Sequence, residues 1–237
     1  MSPKITGRFV GTLFLLAFVA YLTGTALVDS GIGVPEALAE VHDHQRQLSA
    51  GALLMLVNSA VVVGIGLLSF PILRPHGELS AYAYLLLRTI EAVLLAVGIV
   101  LLLLLVPLAR EHAGGGAEGA AVLPALARVA QDGNGYAYQL GMIALGVAGL
   151  FFCRILLRAR LVPRPFALWG LLGYAVLLAG AVLEVLGYGV GLALSVPGGL
   201  FEVALGVLLV LRGFPGTDPA PAESGTGSPA PLARSAG

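Results

Sequence analysis

Three ionisable side chains lie in stretches where such side chains are rare. Arg88 and Glu91 fall inside one long apolar run, and Glu202 falls inside another. Arg88 and Glu91 are three residues apart, so on a helix they share a face. About 10 Å inside a membrane, charged groups are scarce, usually face the bundle interior and often mark function. The pair has two readings. It is a self-neutralising strut that ties helices together, or it is a site at which Arg88 receives an anionic group and Glu91 a proton. Glu202 has no charged neighbour on its own run, since Arg212 is ten residues away. Burial disfavours the ionised form of an isolated carboxylate. Glu202 is therefore expected to donate a hydrogen bond as a neutral acid, to pair with Arg88, or to bind and release a proton. It follows Pro197-Gly198-Gly199, which is expected to loosen the start of its helix and open a small cavity.

Two further polar residues are site candidates. Glu184 lies near the end of an apolar run, before Gly187-Tyr188-Gly189-Val190-Gly191, and reads as an interfacial, hydrated carboxylate. Asn58 reads as interhelical glue, since amides hydrogen-bond across helices. Other patterns carry less. His42 and His44 flank Asp43, but positions two apart on a helix do not share a face, so no metal site is expected. Val185-Leu186-Gly187-Tyr188-Gly189 resembles a potassium filter. The few residues separating the last two apolar runs leave no room for a pore helix, and a Gly-rich hairpin explains the motif better. Cys153, the one cysteine, lies beside Phe151 and Phe152 and reads as a packing residue. No phosphate-binding loop, dinucleotide fingerprint or nucleophile elbow is present, so no cofactor is expected.

The elements that must position these residues follow from composition. Of 237 residues 58% are hydrophobic and 11% charged, and the mean hydropathy is +0.95. Ordinary soluble domains carry about 25% charged residues. These values exclude a soluble enzyme, a disulfide scaffold, a disordered protein and a nucleic-acid binder. The expected fold class is all-α, a polytopic transmembrane bundle. Six runs are long enough to span, at about 20 apolar residues each: 7–28, 49–72, 82–106, 136–157, 166–186 and 193–212. The first run contains Gly24-Thr25-Ala26, which fits a signal-peptidase site, but its length favours a retained helix. Gly7 and Gly11 are spaced for close helix contact. Trp169, Tyr82, Tyr84, Tyr136 and Tyr138 fall near predicted helix ends, as in aromatic belts.

With the N-terminus inside, eight basic residues flank the inner ends and three (Arg46, Arg110, Arg128) the outer ends. Both termini are therefore expected in the cytoplasm. A short helix beginning at Pro35 is expected within 30–48. Residues 109–135 read as the longest loop, flexible at Gly114-Gly115-Gly116, with a short helix over Ala120 to Ala130 interrupted near Pro124. A six-helix domain over 1–213 is expected to precede a disordered tail over 214–237, because 20 of the last 25 residues are Pro, Gly, Ala, Ser or Thr. The Gly- and Arg-rich usage points to GC-rich coding and a bacterial plasma membrane, of actinobacterial type. Ile90-Glu91-Ala92-Val93 faintly matches Phe201-Glu202-Val203-Ala204, each Glu about ten residues into its helix from opposite faces. Chance accounts for that match among helices so alike in composition.

The chain resembles the membrane proteins grouped as domain-of-unknown-function family 4386. The resemblance runs over residues 5–213. It is carried by Leu87-Arg88-Thr89-Ile90-Glu91-Ala92, the apolar continuation to Pro107, Gly135-Tyr136, Leu161-Val162-Pro163, and Pro197 followed by Glu202 and Arg212-Gly213. The Arg-x-x-Glu-Ala element is the most specific. The resemblance implies six helices in one domain and transfers no catalytic residue. The expected function is a non-enzymatic integral membrane protein that binds or moves a small molecule or lipid through a core Arg/Glu site. The expected partners are the lipid bilayer and that ligand. An intramembrane enzyme acting on a lipid, or a structural subunit, are the alternatives.

Overall fold

The computed structural model describes residues 2–32, 38–114 and 122–215. Every regular element among them is helical: α1 (Pro3–Ile32), α2 (Leu38–Asp43), α3 (Gln45–Leu73), a 3₁₀ turn (Arg74–His76), α4 (Glu78–Leu103), α5 (Leu105–Ala113), α6 (Val122–Arg158), α7 (Arg164–Val185) and α8 (Gly191–Arg212). Six are long and apolar enough to cross a membrane: α1, α3, α4 continued by α5, α6, α7 and α8. Lipid offers no partner to backbone N–H and C=O groups, so an apolar chain of this kind satisfies them within helices.

The six long helices form a closed ring. Each packs on the next along the chain, α1 on α3, α3 on α4, α4 on α6, α6 on α7 and α7 on α8, and α8 returns to α1. Short connections enforce antiparallel neighbours. The ring therefore has a proximal end, with Lys4, the 3₁₀ turn and Arg212, and a distal end, with α2, α5 and the α7–α8 hairpin. At the proximal end α1 and α8 meet backbone to backbone. A Cβ placed on Gly11 would lie 2.6 Å from the Gly206 carbonyl oxygen, the close approach that small residues permit. Towards the distal end the two helices part. Opposite Gly199 the nearest atoms are in the Phe18 ring, 3.7 Å from a Cβ there.

Several expected boundaries move. All six spans begin before the predicted runs, and α4 begins at Glu78. Arg88 is thus about 15 Å from its helix start at 1.5 Å per residue. Of the expected loop 109–135, residues 109–113 and 122–135 are helical, and 115–121 lie outside the described residues. Leu105–Ala113 continue α4 after a break, which Pro107 explains by lacking the N–H that would bond to the Leu103 carbonyl. From Val122 the chain is already α6. Pro124 does not interrupt it, because a first-turn proline gives up no intrahelical bond. Ala127 and Ala130 are buried in a distal apolar cluster with Leu105 and Ala109. Packing of that kind keeps the polar stretch Gln131–Asn134 helical.

A short helix does occur before α3, over Leu38–Asp43. Its expected start at Pro35 lies outside the described residues, as do Gly115, Gly116 and the tail from 216. Before that tail, Phe214 is buried in the main core. Gly213 beside it has φ of +70° and sits so close to the Lys4 backbone that a side chain would collide. The α7–α8 link is the Gly-rich hairpin expected, with Gly187 and Gly189 at φ of +89° and +63°. Two of the expected belt tyrosines are not at the lipid interface. Tyr84 is 1% exposed and stacks on Phe152 at 4.7 Å, and Tyr138 turns inward onto Tyr21. Tyr82, Tyr136 and Trp169 do face outward.

Candidate functional site

The ring topology brings Arg88, Glu91 and Glu202 together. Arg88 and Glu91 lie one turn apart on α4, and the Arg88 Nη1 is 3.0 Å from Glu91 Oε2. Glu202 reaches in from α8, with Oε1 3.8 Å from the same Nη1. The two Glu-containing segments whose similarity was weighed in the sequence thus meet at one guanidinium. All three residues are buried. Gly66 on α3 lies against this part of α4, where a Cβ would be 3.1 Å from Leu85 Cδ1 and 3.4 Å from the Arg88 Cβ.

A fourth group comes from α7. The Tyr174 hydroxyl donates to Glu202 Oε1 at 2.7 Å. Its ring lies against the Gly149 backbone on α6, where any side chain would overlap it. Phe201 meets the ring edge-on at 5.7 Å. Gly149 and Phe201 therefore aim the Tyr174 hydroxyl at the carboxylate. The sequence reading passed over Tyr174, although it stands mid-run, away from either interface. That position is itself a signal, because a buried tyrosine hydroxyl usually finds a partner.

The cluster forms part of the wall of a cavity of about 220 Å³, with Phe14, Phe18 and Tyr21 of α1 opposite. The cavity reaches the surface between α1 and α8, where Leu22 and Leu192 line it and are 61% and 81% exposed. A second cavity of about 480 Å³ occupies the distal end and is bordered by Asp29, Gln131 and Asn134. Tyr21, Asn58, Leu95 and Tyr138 line both. The stacked rings of Tyr21 and Tyr138, centroids 5.8 Å apart, stand between the two.

The cluster does not satisfy itself. Among the described residues the buried Arg88 Nε has no hydrogen-bond partner. Glu91 Oε2 has the guanidinium as its ion-pair partner but no hydrogen bond of good geometry. A buried polar group left unmatched costs about 1–3 kcal/mol. These atoms lie in residues that line the cavity.

The remaining candidates fall elsewhere. Glu184 Oε2 accepts the Gly191 N–H at 2.6 Å and so fastens the start of α8 to the end of α7. It is remote from the cluster in the ring. Asn58 is buried and lines both cavities. Pro197 does not loosen the start of α8, which begins six residues earlier, though Gly199 lines the cavity. Cys153 packs fully buried in the core. His42, Asp43 and His44 are exposed. Among the described residues no three His, Cys, Asp or Glu side chains are placed to hold a metal ion.

A family model described as a domain of unknown function, DUF4386, matches residues 9–213. No curated protein and no solved structure matches the chain.

Proposed function

The chain belongs to the DUF4386 family, a domain of unknown function, and we propose that it is a non-enzymatic membrane protein that binds a small molecule or lipid in its core, with Arg88, Glu91 and Glu202 as the polar end of the site. The proposal places it in a bacterial plasma membrane with the proximal end, and so both termini, in the cytoplasm. One observation carries the reading. A cavity of about 220 Å³ is lined by three buried ionisable side chains from two helices, and part of their hydrogen-bonding capacity is unused. Intramembrane ionisable groups that line a cavity mark ligand or ion pathways more often than groups sealed in packing.

A structural reading has one observation in its favour. The Arg88–Glu91 contact and the Tyr174–Glu202 hydrogen bond lie within one network that joins α4, α7 and α8. Native mass spectrometry of the purified wild type and Glu202→Gln separates the two. The binding reading expects a defined small molecule or lipid retained by the wild type and lost from the variant. A wild type that retains nothing, alongside a variant that only melts earlier, supports the strut.

A further inference from the structure

Resting on that binding reading, we propose that the ligand is a monovalent organic cation with a small apolar body, and that it takes the place of a proton on the Glu91–Glu202 pair. The first argument is charge. One guanidinium faces two carboxylates, and Arg88 is already engaged at 3.0 Å by Glu91. The other titratable groups around the pair are Tyr84 on α4, Tyr138 and Cys153 on α6, and Tyr174 on α7. Tyr21 of α1 lines the cavity, and α3 contributes Asn58 but no ionisable group. None of these is basic. An uncompensated charge in a low-dielectric interior is expensive, so the cluster calls for one more positive charge. A proton supplies it at rest, and a bound cation supplies it when loaded. An anion would instead add a third negative charge beside a single guanidinium.

The walls agree. Phe14, Phe18, Tyr21 and Tyr138 border the cavity, and aromatic rings attract cations. Among the described residues the one charged group bordering the distal cavity is Asp29, which is also acidic. The volume of about 220 Å³ is below the roughly 300–1,000 Å³ of pockets for drug-sized molecules, so the ligand is small. Leu192, Ser195, Gly199 and Glu202 recur at helical spacing down one side of α8 and all line the cavity. The row runs about 15 Å from the exposed Leu192 to the carboxylate. An apolar body fits in this slot between α1 and α8 while its charge sits at Glu202.

The test uses the full chain in detergent and three probes that share a phenyl-ethyl skeleton: 2-phenylethyltrimethylammonium, 3-phenylpropionate and 2-phenylethanol. Calorimetry in buffers of different ionisation enthalpy gives affinity and proton release together. The ammonium is expected to bind at least tenfold more tightly than the other two, and to release about one proton. Its affinity should rise with pH, because protons compete for the site. Glu202→Gln should weaken it at least tenfold and abolish proton release. Gly199→Leu should weaken it by filling the slot, while Gly199→Ala should leave Tm little changed, since the nearest atoms to a Cβ there are 3.7 Å away. Preferential binding of the carboxylate overturns the cation assignment and leaves the binding site standing. If no probe binds and native mass spectrometry finds a neutral or anionic molecule in the wild type, the cation assignment alone fails. If that spectrum is also empty, both readings fail.

Discussion

Glu202 Oε1 makes two polar contacts across helices, with the Tyr174 hydroxyl at 2.7 Å and the Arg88 guanidinium at 3.8 Å. The shorter is the stronger tie. Tyr174→Phe should lower stability by about 1.5–3 kcal/mol, the range for hydrogen bonds to a charged group, and by about 0.5–1.5 kcal/mol if the carboxyl is neutral. Thermal unfolding in detergent reads the difference. Arg88→Gln should be worse, at about 3–5 kcal/mol, because it strands two buried carboxylates. Adding Glu91→Gln to Arg88→Gln should recover part of that loss. A double variant less stable than Arg88→Gln alone would count against the pairing. Arg88, Glu91 and Glu202 were legible as charges in apolar runs, since their rarity there is a physical signal. Tyr174 was not, because its partner is 28 residues away on another helix and its position depends on Gly149, which hydropathy does not distinguish from any other glycine.

At the scale of the helices, hydropathy identified all six spans and misjudged where they end. The first fourteen residues of α6 include Gln131, Asp132, Gly133 and Asn134, a polar string that reads as a loop. In the fold this part of α6 packs on α4 and α5 outside the apolar stretch. The helices approach closely at Gly98 on α4, where a Cβ would be 2.8 Å from the Asn134 side-chain nitrogen and 3.3 Å from the Ala137 Cβ. Tertiary contact overrides local preference there. The α1–α8 seam follows the same logic. Gly11→Leu should push the two helices apart at Gly206 and weaken the closure of the ring, costing about 1–3 kcal/mol as overpacking does. Ala at Gly199 should be nearly neutral. Equal effects at Gly11 and Gly199 would contradict the geometry of the seam.

For the whole molecule, the closed ring explains why charges distant in sequence meet. Each helix turns one face to a shared interior, so polar residues excluded from lipid converge there. Orientation rests on the arginines. The single Cys153 is fully buried, which leaves the native chain silent to a membrane-impermeant maleimide. A cysteine replacing Arg46 at the distal end should label in intact cells, and one replacing Arg160 at the proximal end only after permeabilisation. The reverse pattern would invert the bundle. The central claim is that the core cavity is a ligand site and more than a strut. A high-resolution experimental structure of the protein purified from its own membrane tests it most directly. The account predicts non-protein density between α1 and α8, within hydrogen-bonding distance of Glu91 or Glu202. A cavity closed by its own side chains, with both carboxylates drawn fully onto Arg88, would contradict it.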